Sequence, residues 1–235
     1  MTKIYCAIDT SDLAHATRLA KQVSDAGCGI KLGLEFFTNH GAVGVQDISK
    51  ACPDSKIFLD LKFHDIPNTV AGALRAVARL GVTYINCHAS GGIEMMKAGL
   101  DALADESVRL GLSTPQFLAV TVLTSIDEKA LKEVGQTGSS EEQVIRLAHL
   151  THRAGLAGIV CSGQEIKLVR NMLGHDFVLM VPGIRPADGD MGDQKRVMTP
   201  REAMQAGATH LVIGRPITAA KDPAQAAADI LKTLE

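Results

Sequence analysis

Short apolar runs alternate with longer amphipathic segments along the whole chain, and this alternation restricts the fold more than any other feature. Runs of strand length lie at 4–8, 29–32, 57–61, 83–87, 117–123, 158–161, 177–181 and 210–213. Helix-like segments fall between them at 12–26, 35–51, 67–80, 92–110, 141–154, 165–172, 200–206 and 216–234. Thr10, Ser11 and Asp12 can cap the first helix, and Pro200 and Pro216 suit first-turn positions. Gly27, Gly81, Gly111, Gly155 and Gly207 stand where helices should stop. Strand–helix repeated eight times predicts an α/β fold with one parallel sheet closed into a (β/α)8 TIM barrel. An open doubly wound sheet is the alternative, but no G-x-G-x-x-G follows the first strand, which disfavours its dinucleotide-binding form. The length of 235 residues suits one barrel, and no linker or low-complexity stretch divides it, so 1–235 is read as a single domain.

Aromatic residues make up 3% of the chain and Trp is absent, while 46% is hydrophobic, so the core is expected to be aliphatic. The net charge is −2 with both signs interspersed, and no basic patch with interleaved aromatics marks a nucleic-acid surface. No segment approaches the ~18 uninterrupted apolar residues of a membrane helix. The amino terminus, MTKIYCAIDT, enters a strand directly and has no signal-peptide layout. Five cysteines occur, none in a C-x-x-C pair, which suits buried thiols in a reducing cytoplasm.

In a barrel of this kind chemistry gathers at the carboxyl ends of the strands. Polar residues expected there are Asp9, Lys31, Asp60, Lys62, His88, Thr124, Ser162, Arg185 and Arg215. Charges within apolar runs carry the most information, because burying an isolated charge is expensive. Lys31 in GIKLG and Asp60 in IFLDLKF are such charges. Asp60 and Lys62 are two apart on a strand and therefore share a face, the barrel interior. A structural ion pair capping the barrel is the plainer reading of that pair. Two connections, 124–140 and 182–199, are long enough for a substrate lid.

The stretch from Phe58 to Thr69, FLDLKFHDIPNT, resembles the signature of the orotidine 5'-monophosphate decarboxylases, D-x-K-x-x-D followed by an aliphatic residue, a small residue or Pro, any residue, and Ser or Thr. Ala7-Ile8-Asp9 and Ile30-Lys31-Leu32-Gly33 resemble the first two strand ends of that family. Val181-Pro182-Gly183-Ile184-Arg185-Pro186 and Val212-Ile213-Gly214-Arg215-Pro216-Ile217 resemble its phosphate-side loops. Cys87-His88-Ala89-Ser90-Gly91-Gly92 is similar to the bacterial subgroup.

The resemblance implies cofactor-free and metal-free loss of CO2 from orotidine 5'-monophosphate to give uridine 5'-monophosphate. An alternating catalytic array of Lys31, Asp60, Lys62 and Asp65 would serve it, with Lys62 as proton donor to C6. It further implies substrate contacts along Asp60, Leu61, Lys62, Phe63, His64, Asp65, Ile66, Pro67, Asn68 and Thr69. Asp9 and Lys31 would hold the ribose, Thr124 the pyrimidine edge, and Arg185, Gln194, Gly214 and Arg215 the phosphate. Asp65 and Thr69 would reach into a partner's site in a homodimer. The loop 183–197 is expected to close over phosphate, and His64 and His88 to support the array. Two rival readings are open to such a chain. A magnesium-dependent sugar-phosphate decarboxylase or aldolase would need an acid where this chain has Lys31. A non-catalytic nucleotide-binding barrel would have no use for the whole charge array.

Overall fold

The structure, a computed structural model, describes residues 2–186 and 198–234. Its eight strands are β1 (Ile4–Ile8), β2 (Gly29–Leu32), β3 (Ile57–Phe63), β4 (Tyr84–His88), β5 (Gln116–Val120), β6 (Gly158–Val160), β7 (Val178–Val181) and β8 (His210–Ile213). They pair in sequence order, all parallel, and β8 returns to β1, which closes the barrel. The helices are α1 (Leu13–Asp25), α2 (Leu34–Ala51), α3 (Pro67–Ala78), α4 (Gly92–Leu110), α5 (Glu128–Glu133), α6 (Ser140–Arg153), α7 (Ile166–Leu173), α8 (Pro200–Ala206), α9 (Arg215–Thr218) and α10 (Pro223–Lys232).

Strand alternation divides the core into two shells. Ile4, Cys6 and Ile8 of β1, with Ile30, Leu32, Leu59 and Ile85, point outward against the helices. Tyr5, Ala7, Phe58, Tyr84, Leu118, Val120, Met180 and Val212 fill the barrel interior. Aliphatic side chains dominate the outer shell. Inside, at the amino-terminal end, Tyr5 meets Phe58 and Tyr84 edge-on at 6.3 and 5.8 Å, while Phe36, Phe117 and Phe177 pack in the outer shell.

Helix boundaries follow local chemistry. The Asp12 carboxylate caps α1 by accepting from the His15 N–H, and Pro200 opens α8 behind a Thr199–Glu202 capping box. Three expectations need correction. The final helix is two, because Asp222 and Pro223 start a new one after the short α9. The connection 124–140 contains α5, capped by Asp127. The fifth strand ends at Val120, short of 123, so Thr121, Val122 and Leu123 leave the ladder. Among the described residues no helix is long and apolar enough to cross a membrane.

Candidate active site

At the carboxyl ends of the strands the barrel interior opens into a cavity of about 330 Å3. Asp9, Lys31, Asp60 and Lys62 make its charged part, and Thr124, Arg185, Gly214 and Arg215 line it from later strands. Ala7, Phe58, Val120, Val122, Val160 and Val212 form an apolar wall. Polar groups that converge beside an apolar wall are the usual build of a small-molecule site.

The charged part is a connected chain. Asp60 Oδ1 lies 2.7 Å from Lys62 Nζ, and Asp60 Oδ2 lies 3.3 Å from Lys31 Nζ. Lys31 Nζ in turn lies 3.4 Å from Asp9 Oδ1. Asp60 and Lys31 are buried, Lys62 is partly open to the cavity, and Asp9 stands at the mouth. Two cations alternate with two anions, so formal charge cancels and the cost of burial is limited. Gly33 makes room for this pairing, because a Cβ there would stand 3.0 Å from both Asp9 Oδ1 and Lys31 Nζ. Burial pushes the Asp60 carboxyl up, but the Lys31 and Lys62 ammoniums, with hydrogen bonds from Lys62 and Asn86, outweigh it. The group is held below the usual carboxylate range and stays ionised.

Lys62 does not simply continue the strand. Leu59 pairs with Ile85 and Phe63 with Cys87, so β3 advances four residues while β4 advances two. Lys62 sits in this bulge with φ of 52°, a left-handed conformation in which a non-glycine residue is strained by roughly 1–3 kcal/mol. Its N–H donates to Asn86 Oδ1 at 2.8 Å, and Asn86 Nδ2 donates to Asp60 Oδ1 at 2.7 Å. Sequence reasoning missed Asn86. The usable signal was the same one that exposed Asp60: a polar side chain inside an apolar run, here YINCH, on the inward face with Tyr84.

Of the residues picked from sequence, the cavity gathers Asp9, Lys31, Asp60, Lys62, Thr124, Arg185, Gly214 and Arg215. Arg185 is buried, and its N–H donates to Met198 O at 3.1 Å while Ile184 pairs with Met198. Leu61 and Phe63 instead pack in the outer shell. His64, Asp65, Ile66, Pro67, Asn68 and Thr69 form an exposed stretch outside the cavity. There Asp65 Oδ1 accepts from the Ile66 N–H at 2.6 Å. Gln194 and most of the expected lid lie outside the described residues.

His88 and His64 stand beside the array with ring centres 5.6 Å apart. Burial, with the nearby His64 and Lys62, lowers the His88 imidazole below its ordinary value, although Asp60 opposes the shift. The imidazole is therefore neutral at neutral pH. Both rings line a neighbouring hollow with Ser90, Thr121 and Gln143. Among the described residues, no three His, Cys, Asp or Glu side chains converge as metal ligands.

Known proteins share this architecture and sequence. A protein of Rhodospirillum rubrum named orotidine 5'-phosphate decarboxylase is 53% identical over 224 residues, 95% of this chain and 90% of its own length. Its counterpart of the same name in Paramagnetospirillum magneticum is 50% identical over 97% of this chain and 96% of its own. The crystal structure of orotidine 5'-phosphate decarboxylase from Lactobacillus acidophilus superposes with a TM-score of 0.88 at 35% identity, covering 100% of both chains. Residues 2–230 match the description of one family, and the chain belongs to it: the orotidine 5'-phosphate decarboxylase / HUMPS family.

Proposed function

We propose that this chain removes the carboxylate of orotidine 5'-monophosphate, yielding uridine 5'-monophosphate and CO2 in the last step of uridine monophosphate synthesis. The observation that carries this reading is the Lys62 ammonium, gripped at 2.7 Å by an ionised, buried Asp60 within a cavity that two arginines also line. The C6–carboxylate bond breaks, CO2 departs, and the electron pair stays on C6 in the plane of the ring. A fixed ammonium stabilises that charge electrostatically without reorganising. A proton then passes from Lys62 Nζ to C6, and solvent returns one to the amine. Asp60, itself held by Lys31, keeps the ammonium aimed, and Asp65 of a second copy sets a second carboxylate beside it.

Asp9 and Lys31 hold ribose hydroxyls in this reading, and Thr124 meets the pyrimidine. Arg215, Arg185 and the Gly214 N–H take the phosphate, whose charge suits guanidinium forks, and Gln194 joins them. The apolar wall of Val120, Val122, Val160 and Val212 excludes water around the reacting carbon. Residues 1–235 act as one catalytic unit. All five cysteines are free and buried, in keeping with a cytoplasmic protein.

Asp65 and Thr69 serve the site of a second copy. Both are exposed, outside their own cavity, on a stretch that also exposes Ile66 by 66%. Mixing inactive Lys62→Ala and Asp65→Ala chains should restore turnover, because a mixed dimer then holds one intact site. If each site uses its own Asp65, mixing restores nothing.

The direct test is spectrophotometric loss of orotidine 5'-monophosphate in excess EDTA. Full turnover is expected. No turnover by folded protein contradicts the reading, and turnover only with added Mg2+ favours a metal-dependent relative.

A further inference from the structure

We propose that Asn86 is a positioning residue for the proton donor, a role that rests on the decarboxylation reading above. Asn86 is 0% exposed and does not line the cavity, so it works without touching substrate. Its two partners leave one amide orientation. The Lys62 N–H can only donate, so the amide oxygen faces it; the Asp60 carboxylate can only accept, so the NH2 faces that. One side chain thereby links the backbone of Lys62 to the carboxylate that grips the ammonium of the same residue. Asn86, Lys62 and Asp60 form a closed ring of contacts at 2.8, 2.7 and 2.7 Å.

The ring explains two observations together. Lys62 holds a left-handed backbone at a bulge, where its N–H is paired with a side chain. Asp60 Oδ1 receives both the ammonium and the Asn86 amide, while Oδ2 is left to Lys31. Asn86 thus supplies an uncharged donor to Asp60 and sustains the strained turn without altering the charge balance. An aliphatic residue could neither donate nor accept, and an ionised Asp could not donate. Without Asn86 the bulge is free to relax and the ammonium to leave its aim. Misplacement of about 1 Å can cost on the order of 10²-fold in rate. Among the described residues, the groups assigned to ribose and phosphate lie on β2 and in the segments that follow β1, β7 and β8, and they stay in place.

The test compares Asn86→Ala and Asn86→Asp with the wild type for kcat, KM and affinity for uridine 5'-monophosphate. Asn86→Ala should lower kcat on the order of 10²-fold, with KM and nucleotide affinity little changed. Asn86→Asp keeps the shape, so it remains informative if the alanine variant fails to fold. Its new carboxylate lies against Asp60 and has its pKa raised. Only the protonated form reproduces the amide, with O–H donating to Asp60 and C=O accepting from Lys62. Its kcat relative to wild type should therefore rise as pH falls, by up to about tenfold per unit above that raised pKa. A merely structural role gives no such rescue. Hydrogen exchange at the Lys62 amide adds a readout independent of turnover: protection should be lost in Asn86→Ala. The proposal is overturned by an amide equally protected in Asn86→Ala, by kcat within about threefold of wild type in both variants, or by a loss confined to KM. Wild-type turnover in the same assay reports separately on the decarboxylation reading.

Discussion

The two ends of the barrel interior are made by the same strands, on the same inward face, one layer apart, and they carry opposite chemistry. On β3 the step from Phe58 to Asp60, and on β4 from Tyr84 to Asn86, passes from a packed floor to an open polar site. At the floor, the Tyr84 and His210 rings meet edge-on at 5.2 Å, and Tyr84 Oη lies 2.8 Å from His210 Nε2. His210 Nδ1 lies 2.8 Å from the Thr2 carbonyl, which accepts, so Nδ1 carries the proton and Tyr84 donates to Nε2. Tyr84, His210 and the Thr2 carbonyl are paired there without net charge. At the upper end two ammoniums, two carboxylates and a left-handed Lys62 are held in place. The floor supplies burial and rigidity, and the upper layer uses that rigidity to keep a costly arrangement poised.

Substitutions should separate these roles. Lys62→Ala should lose more than the ~10²–10³-fold in kcat typical of a single electrostatic donor, since the proton source goes as well. Its stability should change by roughly 2 kcal/mol or less, because Asp60 keeps Lys31 and Asn86 as partners. Steady-state kinetics beside urea unfolding checks both halves. Turnover within tenfold of wild type would remove Lys62 from the role of acid.

Tyr84→Ala should give the reverse pattern. Emptying that floor position should cost about 3–5 kcal/mol of unfolding free energy, as truncation of large buried rings does. Activity per folded molecule should stay within about threefold, because the array one layer above keeps its own partners. A collapse of kcat in folded protein would mean that the two layers are energetically one.

The smallest effect concerns protons. Burial lowers the His210 imidazole below its ordinary value of about 6.5, although its hydrogen bond to Thr2 opposes the shift. As pH falls through that value, the unfolded chain takes up the proton first, so stability present above it is lost on acidification. His210→Gln should flatten this part of the stability–pH curve while leaving the kcat–pH profile in place. An unchanged stability slope would show that His210 is not its source.

How much was legible beforehand follows from what each feature depends on. β1, β2 and β8 match their expected limits because burial on both faces makes a parallel strand a continuous apolar run with abrupt polar ends. Asp60 and Lys31 stood out because charges have few reasons to enter such runs. The bulge at Lys62 was not legible, since it depends on a side chain from the neighbouring strand replacing a ladder bond. Asn86 is not legible either, because an amide in an apolar run is ambiguous until its partners, 24 and 26 residues away in sequence, are known. Leu61 and Phe63 belong to the signature, yet alternation and the bulge turn them toward the helices.

The most direct measurement is a crystal structure with uridine 5'-monophosphate bound. Lys62 Nζ should lie within about 3.2 Å of C6, still joined to Asp60, with the phosphate at Arg215. An amine directed away from the pyrimidine, or a nucleotide seated elsewhere on the barrel, would contradict it.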